Sequence, residues 1–143
     1  MPIVNGAGSS GGGSLTVYDF VTQATDLTVS ATSAATAQAF FTGNSVAYDG
    51  SSRVLLEWYS PSVGGSAGVL IAEFYDGATD LNLRIGQIQA SANGAPGYGA
   101  CTLTPSAGAH AYSVKFWRTV ANVTVAGNSA GVYTTAFMRV TKS

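Results

Sequence analysis

The chain carries little charge for its length. Its 143 residues include six basic and seven acidic side chains, which give a net charge of −1. The basic residues are scattered rather than clustered: Arg53, Arg84, Lys115, Arg118, Arg139 and Lys142. Nucleic acids are bound by surfaces that concentrate positive charge in a patch or stripe. The sequence therefore predicts no nucleic-acid partner, and its low charge favours packing within an assembly.

Cysteine is almost absent, and long apolar runs are missing. Because Cys101 is the only cysteine, no disulfide can form within the chain. Its position in a predicted strand, Gly99 to Leu103, indicates a small buried hydrophobe. No apolar run approaches the roughly 18 residues that span a bilayer, so no membrane contact is expected. The N-terminus lacks the basic and apolar segments of a secretion signal, which favours folding in a reducing cytoplasm.

Histidine is also scarce, which limits acid–base and nucleophilic chemistry. His110 is the only histidine, and no predicted helix follows a Gly-x-Ser-x-Gly run, as a nucleophile elbow requires, so we interpret it as a surface or interface residue. Glu57 and Glu73 could approach each other as a carboxylate pair, but such residues more often pair with arginine, here Arg53 or Arg84. The sequence predicts a protein without catalytic residues.

A metal or cofactor site is not expected either. The run from Asp76 to Asp80 has the composition of a calcium loop, but it lacks the alternating ligands and terminal glutamate of an EF-hand. The Gly-rich runs do not follow a strand and open a helix, as a phosphate-binding loop would. No cofactor is predicted.

Alternating apolar residues and turn signals are abundant. Val54, Leu56 and Trp58 fall on one face of a predicted strand, and strand patterns recur every eight to twelve residues. Asp49-Gly50 indicates a hairpin. The alanine content of the run 31–39 would allow a short helix, but its Ser and Thr residues favour an extended edge. The pattern predicts an all-β protein, an antiparallel jelly-roll β-sandwich over residues 15–143, with an immunoglobulin-like sandwich as the alternative.

The two ends of the chain suggest how it meets partners. Residues 1–14 form a Gly/Ser-rich segment that predicts a flexible arm, in which Pro2-Ile3-Val4 resembles an anchor. The closing strand, Val132 to Thr141, has apolar residues on both faces, so something besides its own domain must cover it, and a second copy of the chain is the natural candidate. Trp117 lies opposite the row of Tyr112, Val114 and Phe116, so we expect it to face outward or into an interface.

Five segments in preserved order resemble one family. They are VLLEWYSP (54–61), FYDGAT (74–79), LTPSAGAHAYSV (103–114), Ala126-Gly127 with Gly131-Val132-Tyr133, and AFMRVTK (136–142). This part of the chain is similar to a domain found at the C-termini of tailed-bacteriophage virion proteins. The resemblance covers roughly two thirds of the chain.

The resemblance implies a trimeric jelly roll of the tumour-necrosis-factor and C1q type, with the closing strand near the threefold axis. From their own positions in the predicted strands, we expect four aromatic residues in the trimer interface: Tyr59, Trp117, Tyr133 and Phe137. A short domain behind an arm suits a capsid decoration protein on the virion surface. Such a protein would bind the major capsid protein through the arm, at Pro2, Ile3, Val4 and Asn5.

Two alternatives remain from the sequence. One is the receptor- or glycan-binding tip of a tail fibre or minor tail protein, with a sugar platform drawn from five aromatic residues: Trp58, Tyr59, Tyr98, Trp117 and Tyr133. The other is a cytokine-like ligand, which the absence of a secretion signal disfavours.

Overall fold

The computed structural model describes residues 15–90, 92–128, 131 and 134–143, apart from the side chains of residues 85 and 86. Within them lie a single turn of 3-10 helix, Ala34–Thr36, and twelve strands. The strands are β1 Val17–Gln23, β2 Leu27–Val29, β3 Gln38–Thr42, β4 Val46–Asp49, β5 Val54–Gly64, β6 Val69–Asp76, β7 Thr79–Gln89, β8 Ala95–Leu103, β9 Ala107–His110, β10 Tyr112–Thr119, β11 Val123–Val125 and β12 Ala136–Lys142.

The strands form two packed antiparallel sheets and a short ribbon. In the six-stranded sheet, β12 lies between β1 and β5, β8 pairs with the other edge of β5, and the end of β5 pairs with β11, which pairs with β2. The four-stranded sheet has the order β3-β10-β6-β7, and β4 pairs with β9. This architecture confirms the predicted all-β sandwich.

The core lies between the two sheets and follows the predicted alternation. Val54, Leu56 and Trp58 of β5 are completely buried. They meet the inward row of β10, where the Phe116 ring lies 5.0 Å from the Trp58 ring at an angle of 71°. Burying a side chain of this size contributes roughly 1.5–3 kcal/mol, so these two central strands carry a large share of the stability.

The predicted hairpin at Asp49-Gly50 is wrong. Gly50 does make a turn with a φ of 78°, and the Asp49 carboxylate accepts hydrogen bonds from the backbone N–H groups of Ser51 and Ser52. However, β4 pairs with β9, while β5 enters the six-stranded sheet. The local signal marks a reversal of the chain, but it does not determine which strands pair.

The predicted extended edge over residues 31–39 is wrong in its middle. Residues Ala34–Thr36 form the 3-10 turn, and strand β3 begins only at Gln38. The side-chain hydroxyl of Thr36 donates a hydrogen bond to the Ser33 carbonyl (3.3 Å), which is the local bonding by which Thr competes with a strand ladder. The small Ala34 and Ala37 side chains let this turn lie against the sheet.

Val120 holds a strained backbone conformation between β10 and β11. Its φ is 70°, and the Ala121 N–H donates to the Thr119 carbonyl at 3.0 Å, which makes Val120 the centre of a γ-turn. Its side chain is 86% exposed, so no packing offsets the strain. A positive φ is unfavourable for any β-branched residue and is tolerated by glycine.

We predict that Val120→Gly raises the free energy of unfolding by about 1 kcal/mol, because it removes this strain without removing a buried contact. Urea denaturation at a fixed protein concentration measures the change. Thr119→Gly, one residue earlier in the strand, is the control and should lower stability. If the two variants lost the same free energy of unfolding, the backbone of Val120 would not be strained as we infer.

Candidate self-association face

An aromatic row crosses the outer face of the six-stranded sheet. It consists of Phe20 on β1, Phe137 on β12, Tyr59 on β5 and Tyr98 on β8. The Phe137 ring is stacked 5.7 Å from Phe20 and 5.7 Å from Tyr59, and Tyr98 is the cross-strand partner of Tyr59. Four adjacent strands thus each contribute one ring on the face turned away from the core.

The described residues leave this face largely open. Phe20 is 53% exposed and Tyr98 is 55% exposed, while Tyr59 and Phe137 are half-buried. Val17, which lies opposite Thr141 on the same face, is 48% exposed. A contiguous apolar surface of this kind is typical of protein contact sites.

The outer face of the four-stranded sheet is different, because the chain covers it. Trp117 lies on this face, opposite the row of Tyr112, Val114 and Phe116, but only 4% of it is exposed. Ala31 and Ile71 pack around it, together with the small residues that flank the 3-10 turn, and the Arg84 guanidinium lies 5.3 Å from its ring. Trp117 therefore lies on the outer face as predicted, but it is neither exposed nor open to a partner, because its own chain buries it.

A buried ion pair lies beside the aromatic row. Glu57 and Arg139 are cross-strand partners on β5 and β12, and the Arg139 Nε and Nη2 atoms donate to Glu57 Oε1 at 2.7 and 2.6 Å. The Tyr98 hydroxyl donates to Glu57 Oε2 at 3.0 Å. Glu57 is only 6% exposed, so its charge is satisfied within the chain.

This arrangement suits symmetric association. In a homotrimer, residues near the threefold axis meet their own copies from the other two chains. An unpaired charge there would meet like charges or be buried without a partner, which costs several kcal/mol. Because Glu57 is already paired with Arg139, the aromatic row can be buried without that cost.

The structure brings together two of the four residues predicted for the trimer interface. Tyr59 and Phe137 are neighbours in the aromatic row, whereas Trp117 lies on the opposite sheet. Tyr133 lies outside the described residues, as do the predicted capsid-attachment residues Pro2, Ile3, Val4 and Asn5.

Sequence reasoning missed two members of the row and the ion pair. Tyr98 lies in a stretch, Gly94 to Gly99, whose glycines indicate a loop, although β8 already begins at Ala95. The residues of β1 alternate between two faces, and Phe20 lies on one of them. That alternation does not show which of the two faces is open to solvent. Position 139 could have been linked to Glu57 only through the register between β12 and β5.

Neither a scan of protein-family models nor a search of curated proteins found a match to this chain. Two further findings come from the structure. None of the helices in the part of the chain that is described could cross a membrane, on the grounds of length and apolar character. That same part contains no group of three or more His, Cys, Asp or Glu side chains placed to hold a metal ion.

Glu57 and Glu73 do not form a carboxylate pair, and pairing with arginine, which the sequence favoured, is what the structure shows. Glu57 and Glu73 lie in different sheets, each on an outer face, and each binds its own arginine. Arg84 Nε donates to Glu73 Oε1 at 2.9 Å, as expected from the sequence, and burial raises the pKa of the Glu73 carboxyl. Cys101 packs against the core as predicted, and burial raises the pKa of its thiol to about 11.

The sugar platform of five aromatic residues does not form as predicted. Trp58 is in the core and Trp117 is buried on the opposite sheet. Of the four platform residues that the structure describes, Tyr59 and Tyr98 lie side by side. A cleft of about 290 Å³ does lie over the four-stranded sheet, between the 3-10 turn and the hairpin that joins β6 to β7. Its aromatic residue, Tyr75, is buried with the Lys115 ammonium 4.1 Å from the ring centroid, which leaves little ring for a sugar.

We predict that Arg139→Ala lowers the free energy of unfolding by about 2 kcal/mol, because it leaves the buried Glu57 carboxylate without its main partner. The expected loss is moderate because the Arg139 side chain is 36% exposed, and solvent screens part of the attraction. Urea denaturation measures the loss at a fixed protein concentration.

Arg53→Ala is the matched control for this prediction. Arg53 is an exposed arginine whose Nη2 donates to the Thr102 hydroxyl, and removing it should change stability by no more than about 0.5 kcal/mol. If both variants lost the same free energy of unfolding, the ion pair between Glu57 and Arg139 would contribute no more to stability than an exposed arginine does.

Proposed function

We propose that this chain is a structural protein of a tailed-bacteriophage virion. In this proposal it is a non-enzymatic jelly-roll homotrimer that decorates the capsid. It assembles through the outer face of the six-stranded sheet and attaches to the major capsid protein through its N-terminal residues. The main support for self-association is the aromatic row on an open sheet face. The adjacent ion pair of Glu57 and Arg139 adds to it, because the two charges neutralise each other within one chain.

The jelly-roll assignment draws support from the order in which the strands pair. Eight principal strands pair in a nested way: β1 with β12, β3 with β10, β5 with β8, and β6 with β7. A jelly roll is a long antiparallel hairpin of eight strands wound into two sheets. Its first strand therefore pairs with the eighth, the second with the seventh, the third with the sixth and the fourth with the fifth. β2, β4, β9 and β11 are short additions to this plan.

The resemblance is the basis for two parts of the proposal. These are the number of copies, three rather than two, and the location on the virion. The phage domains that this sequence resembles are similar to the trimeric jelly rolls of the tumour-necrosis-factor and C1q type, which implies a trimer with the closing strand near the threefold axis. In this chain the closing strand is β12, and its outward residue Phe137 is at the centre of the aromatic row. A face centred on β12 is what such a trimer would bury.

The first test of the proposal is Phe137→Asp, which should prevent trimer formation. Each interface would bury a carboxylate whose nearest cation, the Arg139 guanidinium 5.8 Å from the Phe137 ring, is already paired with Glu57, at a cost of several kcal/mol. Phe137 is outside the core, so circular dichroism should still report a folded β-protein. Light scattering after size-exclusion chromatography measures the mass, and the wild type is expected to be a trimer.

Val120→Asp is the control for the same measurement. It adds the same charge at an apolar residue that lies away from the aromatic row and is more exposed, so the trimer should persist. A trimer in the Phe137→Asp variant would show that this face is not the interface. A monomeric wild type would remove the trimer from the proposal.

The second test addresses attachment to the capsid. Deleting residues 2–14 should leave the trimer intact and abolish co-sedimentation with particles that lack the protein, because the proposed anchor is removed. Replacing Pro2, Ile3 and Val4 with serine at constant length separates the role of these residues from that of the arm's length. Unchanged occupancy after the deletion would exclude the arm from attachment.

One observation favours a second candidate, a glycan-binding tip of a tail fibre. Tyr59 and Tyr98 lie side by side near the Glu57 carboxylate, and aromatic faces with adjacent polar groups bind sugars. The two functions compete for one surface, because a ring buried between protomers cannot stack on a sugar. A trimer that binds glycans but not particles would favour the tail-tip function.

A further inference from the structure

His110, the only histidine of the chain, lies between hydrogen-bond acceptors on both sides of its ring. Its Nδ1 atom is 2.5 Å from Asp76 Oδ2, at the end of β6. Its Nε2 atom is 3.0 Å from the Ser106 carbonyl oxygen and 3.1 Å from the Ser106 hydroxyl, in the turn between β8 and β9. Asp76 Oδ1 accepts the Ala111 N–H at 3.2 Å, which holds the carboxylate in place.

These contacts suit a protonated ring. A protonated ring donates from both nitrogens, so it satisfies the Asp76 carboxylate and the Ser106 carbonyl together. A neutral ring that keeps its Nδ1–H for Asp76 can accept from the Ser106 hydroxyl at Nε2, but it leaves the Ser106 carbonyl without a donor. In agreement, the pKa of His110 is raised, mainly by the hydrogen bond to Asp76 and against the effect of burial.

A serine, a histidine and an aspartate meet here in the arrangement of a catalytic triad. A general base must accept the serine proton on a free nitrogen. A protonated His110 ring has no free nitrogen, and its Nε2–H can donate to the Ser106 carbonyl. In that state the contact ties the backbone of the turn and cannot activate the hydroxyl.

Two tyrosines also face the His110 ring, and neither loses its proton in the range where an imidazole titrates. From β4, the Tyr48 ring lies 5.8 Å away, and from β10 the Tyr112 ring is stacked at 6.0 Å. Burial raises the pKa of the Tyr48 phenol to about 12, and burial raises the pKa of Tyr112 as well. Tyr48 also contacts Tyr18 of β1 at 5.0 Å, so packing connects His110 to the edge of the six-stranded sheet.

We propose that His110 is a pH-sensitive clamp: its protonated ring holds the turn between β8 and β9 against the hairpin between β6 and β7, and deprotonation releases that turn. The released element is the backbone around Ser106, whose carbonyl loses its donor. This device is independent of the proposed virion function.

The direction of the pH effect follows from the raised pKa. A histidine whose pKa is higher in the folded than in the unfolded state stabilises the fold fully at pH values below the unfolded value, 6.5. That contribution is lost as the pH rises through the folded value. The clamp is therefore closed at mildly acidic pH and opens on the alkaline side of the ordinary imidazole range.

The experiment is an NMR titration of the full-length, ¹⁵N-labelled protein. With one histidine in the sequence, the ring nitrogen signals belong to His110 without ambiguity. We expect a midpoint above 6.5, and the backbone amides of residues 106–108 should shift with the same midpoint. Their hydrogen-exchange protection factors should fall on the order of tenfold across it, as expected for losing a hydrogen bond to a charged group.

Two variants test which atoms form the clamp. Asp76→Asn should move the midpoint down towards 6.5, because the neutral amide no longer favours the protonated ring. Ser106→Ala should preserve the response of the turn, because the clamp binds the carbonyl and not the hydroxyl. The proposal is overturned if the His110 midpoint lies at or below 6.5, or if the backbone amides of residues 106–108 do not shift with that midpoint. It is also overturned if Ser106→Ala abolishes the shift of these amides.

Discussion

A sandwich of two sheets has four faces, and only two of them meet in the core. Each outer face must be polar, covered by the chain, or covered by a partner. In this protein the two outer faces are treated differently. On the four-stranded sheet, the 3-10 turn and Arg84 cover Trp117. On the six-stranded sheet, the described residues leave the aromatic row open, and the proposed oligomer follows from that difference.

Both outer faces also bury a glutamate, and in each case an arginine makes this possible. Glu57 is enclosed by Arg139 and Tyr98 and has hydrogen bonds to both carboxylate oxygens. Glu73 binds Arg84 through one oxygen, while Oε2 has no hydrogen-bond partner. Burial without complete satisfaction favours the protonated acid, which agrees with the raised pKa of Glu73. The better satisfied of the two charges is the one on the open face.

The strand content and the inward rows could be predicted because they depend on local periodicity. Val54, Leu56 and Trp58 alternate with polar or half-exposed neighbours, and β5 buries them as expected. The excess of apolar residues on both faces of the closing strand likewise predicted that Phe137 would lie outside the core. The predictions failed where pairing mattered: Asp49-Gly50 turns the chain, but β4 and β5 join different partners.

The candidate site was predictable only in part, for the same reason. Tyr59 and Phe137 could be proposed from their own strands, whereas Trp117 has the same type of pattern and is buried by a turn from a distant part of the chain. The amino-acid sequence by itself determined the all-β class, the inward rows and the scarcity of charge, because these depend on side-chain chemistry and on the period of two. Only the tertiary structure decided which outer face stays open, that Arg139 pairs with Glu57, and that His110 meets Asp76 and Ser106, because each of these requires strands distant in sequence to be set in register.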